Sequence, residues 1–168
     1  MSSLFVIGGA RSGKSRYAQA RAEAMGLAPL YIATAQAFDD EMHDRIARHQ
    51  SDRGDQWQTV EAPLDLAQAI ADHGHPERVL LVDCLTLWVT NLMLADQHIP
   101  AALGGLANAI TQAKGPVILV SNEVGWGIVP ENALARRFRD EAGLANQQVA
   151  SVADEVQLVC AGLNLRLK

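Results

Sequence analysis

Short runs of apolar residues alternate along the chain with longer stretches in which apolar residues recur at helical spacing. The apolar runs cover residues 4–7, 30–33, 79–82, 117–120 and 155–160. Helical patterns cover residues 14–25, 39–53, 64–73, 85–95, 101–113 and 132–142. Short apolar strands that alternate with helices are typical of βαβ units, in which helices cover a buried parallel sheet. The pattern therefore predicts an α/β fold with a mostly parallel central sheet.

The end of the chain has a different pattern. Two short strand-like segments, residues 156–160 and 163–167, are separated by a turn that contains Gly162. Such close spacing predicts an antiparallel hairpin at one edge of the sheet. A chain of 168 residues without a linker, repeat or low-complexity tract is also the size of one domain. We therefore expect a single domain over residues 1–168.

Composition and charge exclude several classes of protein. The net charge of −5 disfavours a general role in binding nucleic acid. No apolar run is long enough to predict a membrane span, and the N-terminus lacks the pattern of a secretion signal. Cys84 and Cys160 each lie in an apolar run, so both are expected to be buried free thiols. These features predict a cytoplasmic protein.

The strongest chemical signal follows the first apolar run directly. Residues 8–15 match the phosphate-binding pattern G-x-x-x-x-G-K-[ST] at every fixed position. Glycines let backbone N–H groups converge on a phosphate, Lys14 adds positive charge, and the Ser15 hydroxyl can bind Mg²⁺. Strand, loop and helix occur in the required order, which predicts a P-loop nucleotide site. Its residues are Gly8, Gly9, Ala10, Arg11, Ser12, Gly13, Lys14 and Ser15.

A second part of the phosphate site is expected at the end of another strand. The apolar residues 79–82 are followed by Asp83, whose carboxylate can bind Mg²⁺ together with the hydroxyl of Ser15. An aspartate that merely ends a strand is the alternative. A switch-type GTPase is disfavoured, because the expected N-K-x-D motif is replaced by Ser-Asn-Glu-Val-Gly at residues 121–125.

The charged segment of residues 39–53 contains a candidate nucleophile. On a helix, His49 lies on the same face as Met42 and Ile46, and arginines lie within one turn of it, at positions 45, 48 and 53. Cationic neighbours lower the pKa of an imidazole and keep a ring nitrogen available for attack. Spacing alone nevertheless favours a solvated helix with a half-buried histidine over a nucleophile.

Several segments carry a more specific resemblance to a known family. They are residues 8–15, 31–35, 40–42, 45–46, 83–86, 122–125 and 127–132, together with His49, Arg53, Thr59, Glu61 and Asn91. Through these segments the chain resembles, nearly end to end, the bifunctional adenosylcobinamide kinase and adenosylcobinamide-phosphate guanylyltransferase of cobalamin biosynthesis. Residues 122–132 are far more specific than a P-loop.

The resemblance implies a RecA-like P-loop fold, a homo-oligomer that is usually a trimer, and two reactions. In the first, ATP or GTP phosphorylates adenosylcobinamide with help from Lys14 and Mg²⁺. In the second, GMP passes from GTP through a guanylylated His49 to adenosylcobinamide phosphate and gives adenosyl-GDP-cobinamide. This role for His49 reverses the interpretation from spacing alone. Contacts with GTP are implied for the P-loop and for Ala33, Thr34, Ala35, Gln50, Ser51, Asp52, Arg53, Glu61 and Asp83.

Two other functions are open at this point. One is a P-loop kinase for another small metabolite, in which His49 is only structural. The other is a nucleotide-binding switch without catalytic activity. A covalent adduct between the protein and GMP separates the bifunctional enzyme from both.

Overall fold

The computed structural model describes residues 2–36 and 54–168. Its strands are β1 (Ser3–Gly8), β2 (Ala28–Ala33), β3 (Gln58–Glu61), β4 (Arg78–Asp83), β5 (Val117–Asn122), β6 (Glu155–Cys160) and β7 (Leu163–Arg166). Its helices are α1 (Lys14–Glu23), α2 (Leu66–His73), α3 (Leu85–Leu94), α4 (Ile99–Gln112) and α5 (Ala133–Val152). No helix within the described ranges is long and apolar enough to cross a membrane. The helix expected over residues 39–53 lies outside these ranges.

All of these strands belong to one sheet. Its order is β3-β2-β4-β5-β1-β6-β7. Neighbouring strands run parallel except for the last pair, β6 and β7, which is antiparallel. The prediction of a RecA-like, mostly parallel sheet with a C-terminal antiparallel hairpin is therefore confirmed.

The central strands are buried because helices cover both faces of the sheet. On one face, α1 packs Ala18 and Ala22 against apolar residues of β1, β4 and β5. On the other face, α2 to α5 enclose a larger core in which Trp88 is almost fully buried. The indole N–H of Trp88 donates a hydrogen bond to the carbonyl of Leu64 at 2.8 Å. With both faces covered, the loops at the carboxyl ends of the parallel strands form the open edge where ligands bind in such folds.

Two elements differ from the sequence prediction. Strand β3 was missed because its residues are mostly polar and exposed, so no apolar run marks it. Helix α5 begins close to the predicted position, and the side chain of Asn132 caps it by accepting hydrogen bonds from two backbone N–H groups. It continues through Gly143 to Val152, beyond the predicted end, because Ala145 and Val149 pack into the core. Tertiary packing thus outweighs the low helix propensity of one glycine.

Both cysteines were predicted to be buried, and the structure confirms this for one of them. Cys84 is buried, as predicted, but Cys160 is exposed. Cys160 is the last residue of β6, and its neighbour Val159 is buried. Successive side chains of a strand point to opposite faces, so one residue of this pair faces the core and the other faces solvent.

Candidate active site

The P-loop connects the end of β1 to the first turn of α1. Gly13 caps the helix with a positive φ of 97°, a conformation that favours glycine. The Ser12 N–H donates to the Gly9 carbonyl at 3.3 Å, which closes the turn. Lys14 reaches back across the loop, and its Nζ atom donates to the same carbonyl at 3.1 Å. The lysine charge therefore lies over the loop, at the N-terminus of a helix, where an anion is bound most favourably.

Close packing explains why glycine occupies the start of the loop. A Cβ atom on Gly8 would lie 2.3 Å from the carbonyl oxygen of Val159. On the same side of the site, the Gly162 N–H in the β6–β7 turn donates to the Ser12 carbonyl at 2.8 Å. The turn of the C-terminal hairpin is thus hydrogen-bonded to the P-loop. The hydroxyl of Ser12 is buried and has no hydrogen-bond partner among the described residues.

The other predicted nucleotide contacts lie at the carboxyl edge of the sheet. Strand pairing places Ala33 of β2 beside Asp83 of β4 on one side and beside Glu61 of β3 on the other. Thr34 and Ala35 follow directly after Ala33. The structure therefore brings these five residues together along one edge.

The edge is too long for all of these residues to meet at one point. Asp83 is separated from the P-loop strand by β5 alone, whereas Glu61 lies at the far end of the parallel strands. At about 4.8 Å per strand spacing, Glu61 is roughly 19 Å from the P-loop strand at the level of the backbone. A nucleotide that touched both would have to lie extended along the edge.

The charges of Lys14 and Asp83 both affect the pKa of the buried Cys84 thiol. Burial raises the pKa of the Cys84 thiol, the negative charge of Asp83 raises it further, and the positive charge of Lys14 opposes this. Both charges are therefore close to Cys84, although Lys14 begins helix α1 and Asp83 ends strand β4. This neutral, buried thiol is a poor nucleophile, since thiolate is the reactive form.

A hydrogen-bonded network behind the site holds three loops in place. The Thr34 hydroxyl donates to the Cys84 carbonyl at 2.8 Å and accepts from its N–H at 2.9 Å. The side chain of Asn91 donates to the Thr34 carbonyl at 2.7 Å, and that of Asn122 donates to the Thr86 hydroxyl at 2.8 Å. Sequence analysis assigned no position in the site to Asn91, Thr86 or Asn122, although Asn122 follows an apolar strand as Asp83 does.

The segment after β5 forms the other wall of the site. The Glu123 N–H donates to the Gly8 carbonyl at 2.9 Å, which ties this segment to the P-loop strand. Farther along, Trp126 and Ile128 are 77% and 97% exposed. Residues 9–12, four residues between 123 and 127, and residues 158–161 line a pocket of about 520 Å³.

Some of the predicted residues cannot be placed. His49, Gln50, Ser51, Asp52 and Arg53 lie outside the described ranges. Among the residues that are described, no cluster of three or more histidine, cysteine, aspartate or glutamate side chains could hold a metal ion. Any Mg²⁺ site built from Ser15 and Asp83 would therefore need oxygen ligands from nucleotide and water, as is usual for this ion.

Comparison with known proteins shows which sequences this chain is similar to. A family model described as cobinamide kinase / cobinamide phosphate guanyltransferase matches residues 4–167. The bifunctional adenosylcobalamin biosynthesis protein CobP of Pseudomonas aeruginosa is 48% identical over 165 residues, which cover 97% of this chain and 95% of that protein. The bifunctional adenosylcobalamin biosynthesis protein CobU of Escherichia coli is 43% identical over 180 residues and is covered to 99% of its length.

Similarity in three dimensions extends to more distant proteins. A solved structure from Pyrococcus horikoshii superimposes with a TM-score of 0.57, covering 99% of this chain and 86% of that one. Its sequence is only 8% identical, so the likeness concerns the fold.

Proposed function

The chain belongs to the cobinamide kinase / cobinamide phosphate guanyltransferase family, and we propose that it carries out both reactions with nucleotide bound at the P-loop. The first is phosphorylation of adenosylcobinamide by ATP or GTP. The second is transfer of GMP from GTP, through a guanylyl-histidine, to adenosylcobinamide phosphate. One observation carries the proposal: the P-loop, Lys14 and Asp83 converge on one edge of the sheet.

In the kinase reaction, the hydroxyl of the substrate's aminopropanol arm attacks the γ-phosphorus of the nucleotide. A new P–O bond forms while the bond to the leaving nucleoside diphosphate breaks. Lys14 and the backbone N–H groups of the loop stabilise the negative charge spread over the transferred phosphoryl group. The protein's task is therefore to position the reactants and to provide positive charge.

The residues present fit a magnesium ion. A serine hydroxyl and a carboxylate are both hard oxygen ligands, and the proposal is supported by the sheet order, in which only β5 separates Asp83 of β4 from the P-loop strand β1. Ser15 and Asp83 would hold Mg²⁺, which when bound neutralises charge on the β- and γ-phosphate oxygens. Lys14 and the loop N–H groups supply the rest of the positive field.

In the guanylyltransferase reaction, a neutral ring nitrogen of His49 attacks the α-phosphorus of GTP and pyrophosphate leaves. The resulting phosphoramidate is opened by the phosphate of adenosylcobinamide phosphate, which releases the histidine and gives adenosyl-GDP-cobinamide. Two steps let the pyrophosphate depart before the bulky second substrate reacts. Support for His49 comes from the sequence motif around it and from membership of the family.

The covalent intermediate provides the decisive test. The protein is incubated with GTP labelled either at the α- or at the γ-phosphorus and is then denatured. We expect the α label alone to remain attached, to be lost in mild acid and in hydroxylamine, and to survive alkali. His49→Ala should abolish this label and leave much of the kinase activity, whereas the matched control His43→Ala should still be labelled. A label that withstands acid, or one that persists in His49→Ala, would exclude His49 as the nucleophile.

We also propose that the protein is a homo-oligomer, as the family resemblance implies a trimer. The supporting observation is the edge strand β7 and the residue after it, where Leu163, Leu165 and Leu167 are 75%, 61% and 58% exposed. An exposed apolar edge strand is a surface that proteins normally cover. Light scattering of the purified protein measures its mass directly, and a monomer at micromolar concentration would contradict this part of the proposal.

A further inference from the structure

A pocket of about 520 Å³ lies beside the P-loop. It opens between residues 9–12 of the loop and the segment after β5, and residues 158–161 of β6 and its turn close it from the third side. Its lining includes the apolar side chains of Val124, Trp126 and Leu158. Of the described residues in this lining, Glu123 is the only acidic one and Arg11 is the only basic one. An apolar pocket with one carboxylate next to a phosphate site can accommodate a substrate arm that ends in a hydroxyl group.

The carboxylate of Glu123 is held in a defined position. Its backbone N–H is bonded to the Gly8 carbonyl, so the residue begins directly beside the P-loop strand. Its Oε1 atom accepts a hydrogen bond from the Gly125 N–H at 2.5 Å. Arg139 donates to the Gly125 carbonyl at 2.6 Å and fixes the same turn from helix α5. Within residues 2–36 and 54–168, no hydrogen bond engages the second oxygen, Oε2, which is left to contact a ligand.

Other carboxylates at this edge are less well placed for a reaction at the P-loop. Asp83 ends β4, which is separated from β1 by β5, and it is the candidate ligand for Mg²⁺. Glu61 lies on β3, four strands away. Glu123 follows β5, the immediate neighbour of β1, and it shares a pocket wall with the first half of the loop. Ser12, whose buried hydroxyl has no hydrogen-bond partner among the described residues, belongs to the same wall.

We propose that this pocket binds the alcohol arm of the phosphoryl acceptor and that Glu123 is the catalytic base of the kinase reaction. The proposal rests on the proposed function, which supplies the acceptor alcohol and the nucleotide. As the hydroxyl oxygen attacks the γ-phosphorus, its proton passes to the carboxylate of Glu123. The new O–P bond forms, the bond to the nucleoside diphosphate breaks, and the diphosphate leaves with the electron pair. Glu123 then releases its proton to solvent.

Glu123→Gln tests the base directly. Glutamine keeps an oxygen that can accept the Gly125 N–H, so the turn is retained, but the amide cannot take up a proton. We expect the kinase kcat to fall about 100-fold or more, the usual scale for removal of a general base. The KM for nucleotide should stay within about twofold, since binding of the nucleotide does not use this carboxylate. The acid limb of the pH–rate profile, which reports ionisation of the base, should also disappear.

The guanylyltransferase reaction serves as an internal control in the same protein. Formation of the GMP adduct uses GTP and His49 and no acceptor arm, so Glu123→Gln should form this adduct at the wild-type rate. Glu131→Gln, which changes an exposed carboxylate in the same segment, should behave as wild type in both assays. If kinase activity of Glu123→Gln stays within threefold of wild type, or if both reactions fall together, Glu123 is not the base.

Trp126→Ala tests the pocket as the site of the acceptor arm. Because Trp126 is exposed, its removal leaves the core intact. We expect the KM for adenosylcobinamide to rise by about tenfold, the scale of one well-packed aromatic contact, with the KM for ATP unchanged. An unchanged KM for adenosylcobinamide would mean that the acceptor arm binds outside this pocket. A wild-type enzyme that makes no adenosylcobinamide phosphate would instead refute the proposed function itself.

Discussion

The close approach between β1 and β6 yields a quantitative prediction. Gly8 ends β1 and pairs with Val159 of β6. In Gly8→Ala the new Cβ would lie 2.3 Å from the Val159 carbonyl oxygen, whereas Cβ atoms essentially never come within 3.0 Å of such a neighbour. The distance between the new Cβ and the Val159 carbonyl oxygen must therefore increase by at least 0.7 Å, from 2.3 to 3.0 Å. The atom that must move is backbone in a paired strand, so a side-chain rotation cannot relieve the clash.

The expected cost lies at the upper end of the range for overpacking. Such substitutions cost about 1–3 kcal/mol when side chains and backbone can adjust, and we expect about 3 kcal/mol here. For a chain of this size each kcal/mol lowers Tm by about 2–4 °C. Gly8→Ala should therefore melt roughly 6–12 °C below the wild type in differential scanning calorimetry.

The adjacent glycine provides a matched control. A Cβ on Gly9 would meet no atom within 4 Å. Gly9→Ala makes the same chemical change one residue farther along the chain, and it should change the free energy of unfolding by no more than about 0.5 kcal/mol. If Gly8→Ala melts within about 2 °C of the wild type, or if both variants melt equally low, the pairing of Gly8 with Val159 is not as described here.

Three further predictions concern charge, catalysis and the network behind the site. Glu155 accepts two 2.8 Å hydrogen bonds from Arg21, which lower its pKa from an ordinary 4.5 to about 2. The ionised carboxylate therefore stabilises the folded state above pH 4.5, and this contribution to stability is lost as the pH falls through about 2. In urea melts at pH 7, Glu155→Gln should therefore be less stable by about 1–2 kcal/mol, with water screening part of the effect, and the difference should vanish toward pH 2. Lys14→Ala should impair both the kinase and the guanylylation assay at saturating GTP, and normal guanylylation would indicate a second nucleotide site. Thr34→Val leaves the buried N–H of Cys84 unpaired, while the Cys84 carbonyl keeps its hydrogen bond from the Trp88 N–H. It should cost about 1–3 kcal/mol in chemical denaturation, whereas Thr34→Ser should restore most of the stability.

Much of the fold was determined by the local pattern of the sequence. The apolar runs at β1, β4 and β5 are continuous because these strands are buried on both faces, so pattern alone located them. The P-loop was recognisable for a related reason: the glycines, Lys14 and Ser15 act through a short stretch of backbone that needs no distant partner. The resemblance to the family likewise rests on contiguous motifs.

Only the tertiary structure decided features that depend on distant parts of the chain. Strand β3 is held by its pairing with β2 rather than by its own side chains, and α5 continues past Gly143 because of the core that it packs against. Glu123 was visible in the sequence as part of a motif, but its place beside the P-loop follows from β5 lying next to β1, although more than 100 residues separate these strands in the chain. Strand order is set by how the whole sheet buries its faces, and no short segment of sequence contains that information.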